Sequence, residues 1–320
     1  MEKIINYLDY QFYLLQKEIK ELSPSQLFEK IKANYKSLPL EIKKILENYF
    51  DRFSFWGSLH EKQNDFNEIE IKAKTLSCHI DDFVWLYNKL SDYSSKHLLF
   101  SILNNFVNYD FKNLGDSIKR VGKHYFDFDI LPKCENEVFV DLGAYTGDTV
   151  LDFLNCYSID CYNKIYCYEI TPSVFEILKK NLLPYKNIVF NNKAASNENG
   201  FISVNDNLID KSANTTICDG NVKIKSVCID EDIKEKITII KMDIEGDEEK
   251  ALVGCKNHIK DDGPVLMISI YHNNDHYWKI PKLIYKFNKK YNFYLRNFGG
   301  ELYPTEIVLY AIPKTFNKKK

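Results

Sequence analysis

From about residue 136 onward, short apolar runs rich in β-branched and aromatic residues alternate with helical segments. That alternation confines the chain to few architectures. The runs are EVFVDLG, KIYCYEI, NIVFNNKAA, VKIKSVCID, TIIKMDIEG and PVLMISIYH. GDTVLDFLNCY, TPSVFEILKKNL and DEEKALVGCKNHI lie between several of them and read as helices. Near-continuous apolar strands separated by helices need cover on both faces, so the pattern predicts a parallel, doubly covered α/β sheet. After Tyr271 another helix is expected around WKIPKLIYKFNKKY. NFYLRNF and EIVLYAIP follow, joined through a Gly-Gly turn, and are expected as an antiparallel pair closing the sheet edge.

The part ahead of this region has a different period. A length of 320 residues suits about two domains, and we divide the chain into a helical N-terminal domain (1–115) and an α/β domain (116–320). Ile5, Leu8, Phe12, Leu15, Ile19 and Leu22 recur at helical spacing. Such a stripe either packs on its own domain or forms a coiled-coil seam between two copies, which would make a homodimer. Ser23, Pro24 and Gln26 predict a capping box at the start of the next helix, and Pro39 opens another. DDFVWLYNKL and SSKHLLFSILNNFV continue the helical pattern.

The formal net charge is −2, so no global basic field invites nucleic acid or an anionic membrane. The Lys318–Lys320 end is read as a frayed tail. No run approaches the roughly 18 apolar residues of a membrane span, and the N-terminus lacks the apolar core of a signal peptide. Cys78, Cys134, Cys156, Cys161, Cys167, Cys218, Cys228 and Cys255 form no Cys-x-x-Cys pair, so zinc spacing is absent. They are expected to be reduced, in a cytoplasmic protein.

Ligands of open α/β sheets sit at the carboxyl ends of the strands. Ionisable residues fall there repeatedly: Asp141, Glu169, Asp243 with Glu245, and His272. In VFVDLGAYTGDTV, Gly143 and Gly147 frame a turn with Asp141 before it and Asp148 and Thr149 behind it. A dinucleotide fingerprint needs a third glycine and a place for pyrophosphate, and acids on both sides would repel one. S-adenosylmethionine fits better, because it carries an ammonium and a sulfonium but no phosphate. Asp141 would attract the ammonium, directly or through water, the 143–147 amides would hold the methionine carboxylate, and Glu169 would accept both ribose hydroxyls. The cofactor set is then Asp141, Gly143, Ala144, Tyr145, Gly147, Asp148, Thr149, Glu169, Ile170 and Asp243. A nicotinamide site and a fold without catalysis remain the alternatives.

VFVDLGAYTGDT, NNKAAS, KMDIEGDEEKAL and LMISIYH, with LRN and EIVLYAIP near the end, resemble the FkbM family of S-adenosylmethionine-dependent methyltransferases over about residues 120 to 314. The resemblance implies a Rossmann-like class I methyltransferase sheet of seven strands with the last strand antiparallel. It also implies O-methylation, commonly of sugars or natural products. Asp141, Gly143, Gly147 and Glu169 match its cofactor positions, and Asp243, Glu245 and His272 match positions near the reacting hydroxyl. This chain departs from the pattern at Asn297, where related sequences often carry histidine.

Methyl transfer to an alcohol needs alignment and removal of a proton from a group far from acidic. His272 is the expected base, because an unperturbed histidine titrates at about 6.5. Asp243 is the second candidate. Asp243, Glu245 and His272 are also a candidate set for a divalent cation, which we do not favour. Glu245, Arg296, His276 and Tyr125 are candidates for substrate contact: Arg296 and His276 either grip a phosphate or carboxylate or are solvated surface positions, and Tyr125 with Phe126 is either a lid over the cofactor or, the preferred reading, a packed linker between domains. The residues and the resemblance together lead to an O-methyltransferase for a sugar or nucleotide-linked sugar, and the family analogy alone implies a place in cell-surface polysaccharide synthesis. The alternatives are an NAD(P)-dependent sugar-nucleotide oxidoreductase and an inactive scaffold.

Overall fold

Ser23 starts α2 (Pro24–Lys36) as its side chain requires. Its Oγ accepts from the Gln26 amide at 3.3 Å, and Gln26 Oε1 accepts from the Ser23 amide at 2.9 Å. This reciprocal pair satisfies two donors that the helix cannot. The computed structural model describes residues 5–53, 56–131, 133–204, 220 and 222–315. Cys218 and Lys318–Lys320 lie outside the described residues. No helix among the described residues is long and apolar enough to cross a membrane.

The chain divides into two compact units. The first holds Met1–Arg120 together with two later segments, Tyr271–Trp278 and Tyr294–Ile307. Its helices include α1 (Tyr7–Glu21), α3 (Leu40–Arg52), α4 (Asn67–Lys89), α5 (Tyr93–Asn108) and α6 (Phe111–Asp116). Leu8, Phe12, Leu15 and Ile19 of the α1 stripe are buried inside this unit, with the Phe12 ring stacked 3.8 Å from that of Tyr87 on α4. The Tyr87 hydroxyl donates to Asp9 at 2.8 Å. The stripe is therefore core, not a seam between subunits, and Ile5 alone among its first four members stands out at 75% exposed. The later segments are tied in by polar contacts. Trp56 Nε1 donates to the Tyr271 carbonyl at 2.9 Å, and Ser95 Oγ accepts from the Leu295 amide at 2.8 Å.

The second unit holds Val121–Ile270, Lys279–Phe293 and Val308–Lys320. Seven strands form one sheet: β1 (Glu137–Leu142), β2 (Tyr162–Tyr168), β3 (Ile188–Asn191), β7 (Ile239–Met242), β8 (Val265–Ser269), β9 (Tyr291–Asn297) and β10 (Ile307–Pro313). The spatial order is β3-β2-β1-β7-β8-β10-β9. The pairs from β3 across to β8 are parallel, and β10 runs antiparallel to β8. Strands β1, β7, β8 and β10 are buried along their whole length, as central strands covered on both faces must be. The helices α7 (Asp148–Tyr157), α8 (Pro172–Leu182), α10 (Glu248–Gly254) and α11 (His276–Phe287) appear where the intervening segments predict them.

The final pair closes the sheet edge as expected, with β10 next to β8 and β9 outermost. One expectation about the strands needs correction: VKIKSVCID does not join the main sheet. It forms β6 (Val222–Val227) in a separate three-stranded sheet with β4 (Lys193–Ala195) and β5 (Gly200–Val204), in the order β4-β6-β5. The break falls inside NIVFNNKAA. Asn192 donates its amide to the carbonyls of Glu169 and Ile170, at 2.7 and 3.2 Å, and so ends the pairing of β3 with β2. The chain then turns off into β4.

Candidate active site

The glycine turn after β1 is fixed by close approach. Gly143 has φ +79°, and a Cβ there would lie 1.8 Å from the carbonyl oxygen of Asp243. Only glycine lets the ends of β1 and β7 meet this closely. Gly147 has φ +87° and precedes α7 as its N-cap. The amides of the turn are used within the protein. Those of Gly143 and Ala144 donate to the Tyr168 carbonyl at 3.0 and 2.9 Å, and that of Gly147 donates to Ala144 at 2.8 Å. The Tyr145 amide donates to Glu169 Oε2 at 3.0 Å. The expectation that the 143–147 amides hold a carboxylate is therefore corrected. The donors the fold leaves for an anion are those of the first turn of α7, at Asp148, Thr149 and Val150, ahead of the first helical bond from Leu151 to Gly147. Asp148 is exposed there and Thr149 is buried.

Asp141 is placed differently from expectation. It is fully buried, and its Oδ1 lies 3.0 Å from Nζ of Lys241, which is itself 3% exposed. The parallel register puts the two residues opposite each other on β1 and β7. Lys241 Nζ also donates to the Gly143 carbonyl at 2.7 Å. Burial pushes the Asp141 carboxyl up to about 6, with Lys241 pulling the other way. Burial alone would lower the Lys241 ammonium, but the charges of Asp141 and Asp243 hold it above its ordinary value. Asp141 is thus the inner half of an ion pair that braces the turn. Its charge is balanced by Lys241 inside the protein, and its burial leaves no surface for direct contact with a ligand ammonium.

Glu169 follows β2 directly and is 6% exposed. Its two oxygens each accept one backbone amide, Oε2 from Tyr145 and Oε1 from Thr171 at 2.7 Å. Burial raises its carboxyl above the usual range against these two bonds and a third from the Thr171 hydroxyl. A carboxylate offers about four lone-pair directions, so beyond these three donors it can still accept from a ligand hydroxyl. A fixed carboxylate at this strand end suits a ribose. Ile170 beside it is half-buried, its carbonyl held by Asn192.

Asp243 follows β7 and is half-buried. The Tyr125 hydroxyl donates to its Oδ2 at 2.6 Å and lies 3.0 Å from Ser269 Oγ at the end of β8. Tyr125 is 3% exposed, so it is packed rather than open to solvent. Its ring is stacked 4.0 Å from His124, whose imidazole burial pushes down to about 4 and so keeps neutral. Glu245 is half-buried at φ +57°, in a loop whose shape comes from Glu248: its Oε1 accepts from the amides of Ile244 and Gly246, at 3.1 and 3.3 Å.

The remaining candidates belong to the helical unit. His272, three residues beyond β8, is 6% exposed, and His276, the first residue of α11, is 4% exposed. The Arg296 guanidinium donates to Asp92 Oδ2 at 2.7 Å, Ser95 Oγ at 3.0 Å and the Leu295 carbonyl at 2.8 Å. It ties β9 to the start of α5 and is buried, which removes it as a surface grip for a substrate anion. Asn297 stands in the same framework. Its side-chain oxygen accepts from the Gly299 amide at 2.9 Å, and its amide donates to Ser117 Oγ at 3.3 Å.

No family model matches this chain, and no curated protein matches it either. Among solved structures it resembles the methyltransferase FkbM from Methylobacillus flagellatus KT, with 22% identity and a TM-score of 0.63 over 75% of this chain. The fold is that of a class I methyltransferase. The matched region spans 60% of that FkbM chain, less than two thirds of its length. Fibrillarin from Aeropyrum pernix, solved with S-adenosylmethionine, aligns at 14% identity over 57% of this chain and 69% of its own, with a TM-score of 0.36. Precorrin-6y C5,15-methyltransferase from Geobacter metallireducens aligns at 11% over 56% and 80%, with a TM-score of 0.35. Scores at that level carry no argument here.

Within the class I methyltransferase fold, sequence reasoning missed Lys241, Asn192 and Glu248. A lysine inside the apolar run TIIKM is the one signal that could have revealed an ion pair, since a charge in a buried strand needs a partner.

Proposed function

We propose that this protein is an S-adenosylmethionine-dependent O-methyltransferase of the FkbM kind, acting in the cytoplasm on a hydroxyl of a sugar or sugar nucleotide. The observation that carries the reading is Glu169. Its buried carboxylate, fixed by two amides at the second strand end of a class I sheet, fits the ribose of the cofactor. The first turn of α7, behind the glycine turn, leaves donors for the methionine carboxylate. When bound, the cofactor supplies an activated methyl group on a sulfonium. The protein must then orient the acceptor oxygen and receive its proton. We assign proton removal to His272, with Asp243 as the second group able to take part. The sequence resemblance to the FkbM family is what supports a sugar as the acceptor.

S-adenosylhomocysteine is expected to raise the melting temperature of the protein, and NADH is not. No shift at saturating S-adenosylhomocysteine would overturn the reading, and a shift with NADH alone would favour the oxidoreductase. Glu169→Ala should weaken S-adenosylhomocysteine by about tenfold or more, because hydrogen bonding to a charged acceptor is lost. Isothermal titration checks this, and unchanged affinity would remove Glu169 from the site. His272→Ala should retain the affinity for S-adenosylhomocysteine while turnover falls by about 10²–10⁴. Turnover would be followed by mass gain on candidate sugar nucleotides, and EDTA is expected to leave it unchanged.

A further inference from the structure

A cofactor carrying an α-ammonium needs a carboxylate near the Gly143 turn, and the fold has withdrawn the obvious one. Asp141 is enclosed and paired with Lys241 at 3.0 Å. Glu169 is turned to the amides of Tyr145 and Thr171 and suits a ribose. Asp243 is the third acid at these strand ends. Its backbone carbonyl is the atom that a Cβ at Gly143 would strike, so it lies directly beside the turn, and it is half-buried where Asp141 is wholly enclosed. Resting on the methyltransferase reading, we propose that Tyr125 is a positioning residue that holds the Asp243 carboxylate as the acceptor for the cofactor's α-ammonium.

Several contacts give Tyr125 that task. Its hydroxyl donates to Asp243 Oδ2 at 2.6 Å, which stops rotation of the carboxylate and gives the other oxygen one direction. Ser269 Oγ, 3.0 Å away, and the His124 ring, stacked at 4.0 Å, hold the phenol itself. The Lys241 ammonium lies 5.3 Å from the ring centroid. The backbone of Tyr125 is in the left-handed region, φ +67°, which bulky residues adopt only where their surroundings over-determine it. Charge agrees in sign: the carboxylates of Asp141, Asp148, Asp243 and Glu245 outnumber the single Lys241 ammonium here, so the site is net negative and favours a cation. Proton removal from the acceptor stays with His272.

The test compares two ligands by isothermal titration. S-adenosylhomocysteine carries the amino-acid end, and 5′-methylthioadenosine keeps the adenine and ribose without it. Asp243→Asn is expected to weaken S-adenosylhomocysteine about tenfold and Tyr125→Phe about three- to tenfold, the range for a hydrogen bond to a charged group. Both variants should bind methylthioadenosine within about twofold of the parent protein, which a general loss of structure would not permit. Equal weakening of both ligands, or unchanged S-adenosylhomocysteine affinity in Asp243→Asn, would overturn the proposal. If Tyr125→Phe does not fold, Ser269→Ala releases the phenol from its second partner. It should show the same selective loss, and its absence would refute the positioning role. A parent protein that binds methylthioadenosine and S-adenosylhomocysteine equally refutes the ammonium contact alone, whereas one that binds neither overturns the cofactor reading itself.

Discussion

Gly143→Ala should destabilise the α/β unit by about 3–5 kcal/mol and remove measurable S-adenosylhomocysteine binding. Two separate costs act at this position. An L-residue held at φ +79° carries backbone strain of about 1–3 kcal/mol. The new methyl would also sit 1.8 Å from the Asp243 carbonyl oxygen, so the end of β7 has to retreat. Overpacking of this kind costs about 1–3 kcal/mol even where neighbours can yield, and backbone yields less than side chain. The retreat moves Asp243 and the turn together, which is why binding should fail along with stability. Gly147→Ala is the informative comparison. Its methyl would meet Leu182 and Leu178 side-chain atoms at 2.9–3.1 Å, which are free to shift, so the loss should be smaller despite φ +87°. Equal melting temperatures for Gly143→Ala and the parent protein would show that the close approach is not real.

Lys241→Met should be the second large effect. Removing one partner of a buried ion pair leaves the other charge without compensation and costs about 3–5 kcal/mol. Asp141, fully buried, is the charge left behind. The melting temperature should drop by on the order of 10 °C at neutral pH. The pH dependence has a definite sign. The folded carboxyl of Asp141 titrates at about 6, above its ordinary value of 3.8. A raised folded value means that the associated stability is present in full below the unfolded value and is lost as pH rises through 6. Without Lys241 the folded value rises further. The penalty of Lys241→Met should therefore be larger at pH 8 than at pH 5, where Asp141 takes up a proton. Thermal unfolding at the two pH values checks this, and a penalty independent of pH would refute the buried-charge account. Adding Asp141→Leu to Lys241→Met should recover part of the loss, because neither charge is then left unpaired.

The sheet was legible because its strands are buried on both faces. VFVDL, TIIKM and VLMIS are apolar at successive positions, which is what a central parallel strand needs. Glu169 was legible for the complementary reason: an acid directly after a buried strand has to face something. The partnership of Asp141 was not legible. It depends on β1 lying next to β7 in a register that sets Asp141 against Lys241, and no local spacing encodes that register. The same holds for Tyr125, whose role comes from a left-handed loop backbone and from partners on β7 and β8. Arg296 illustrates the reverse error. An arginine near a strand end suggests an anion from outside, but Asp92, far away in sequence, supplies one from within.

The place of β10 has a consequence for how the molecule is made. It is the last strand among the described residues, yet it lies inside the sheet, with β8 on one side and β9 on the other. A chain that has left the ribosome only as far as β9 presents β8 with one edge open, and β9 has no neighbour to pair with. An open apolar edge invites pairing with other chains. The sheet therefore closes only after Ile307–Pro313 has emerged, and at about 5–20 residues per second that interval lasts a few seconds. During that time the β8 edge is the place where a second chain would pair.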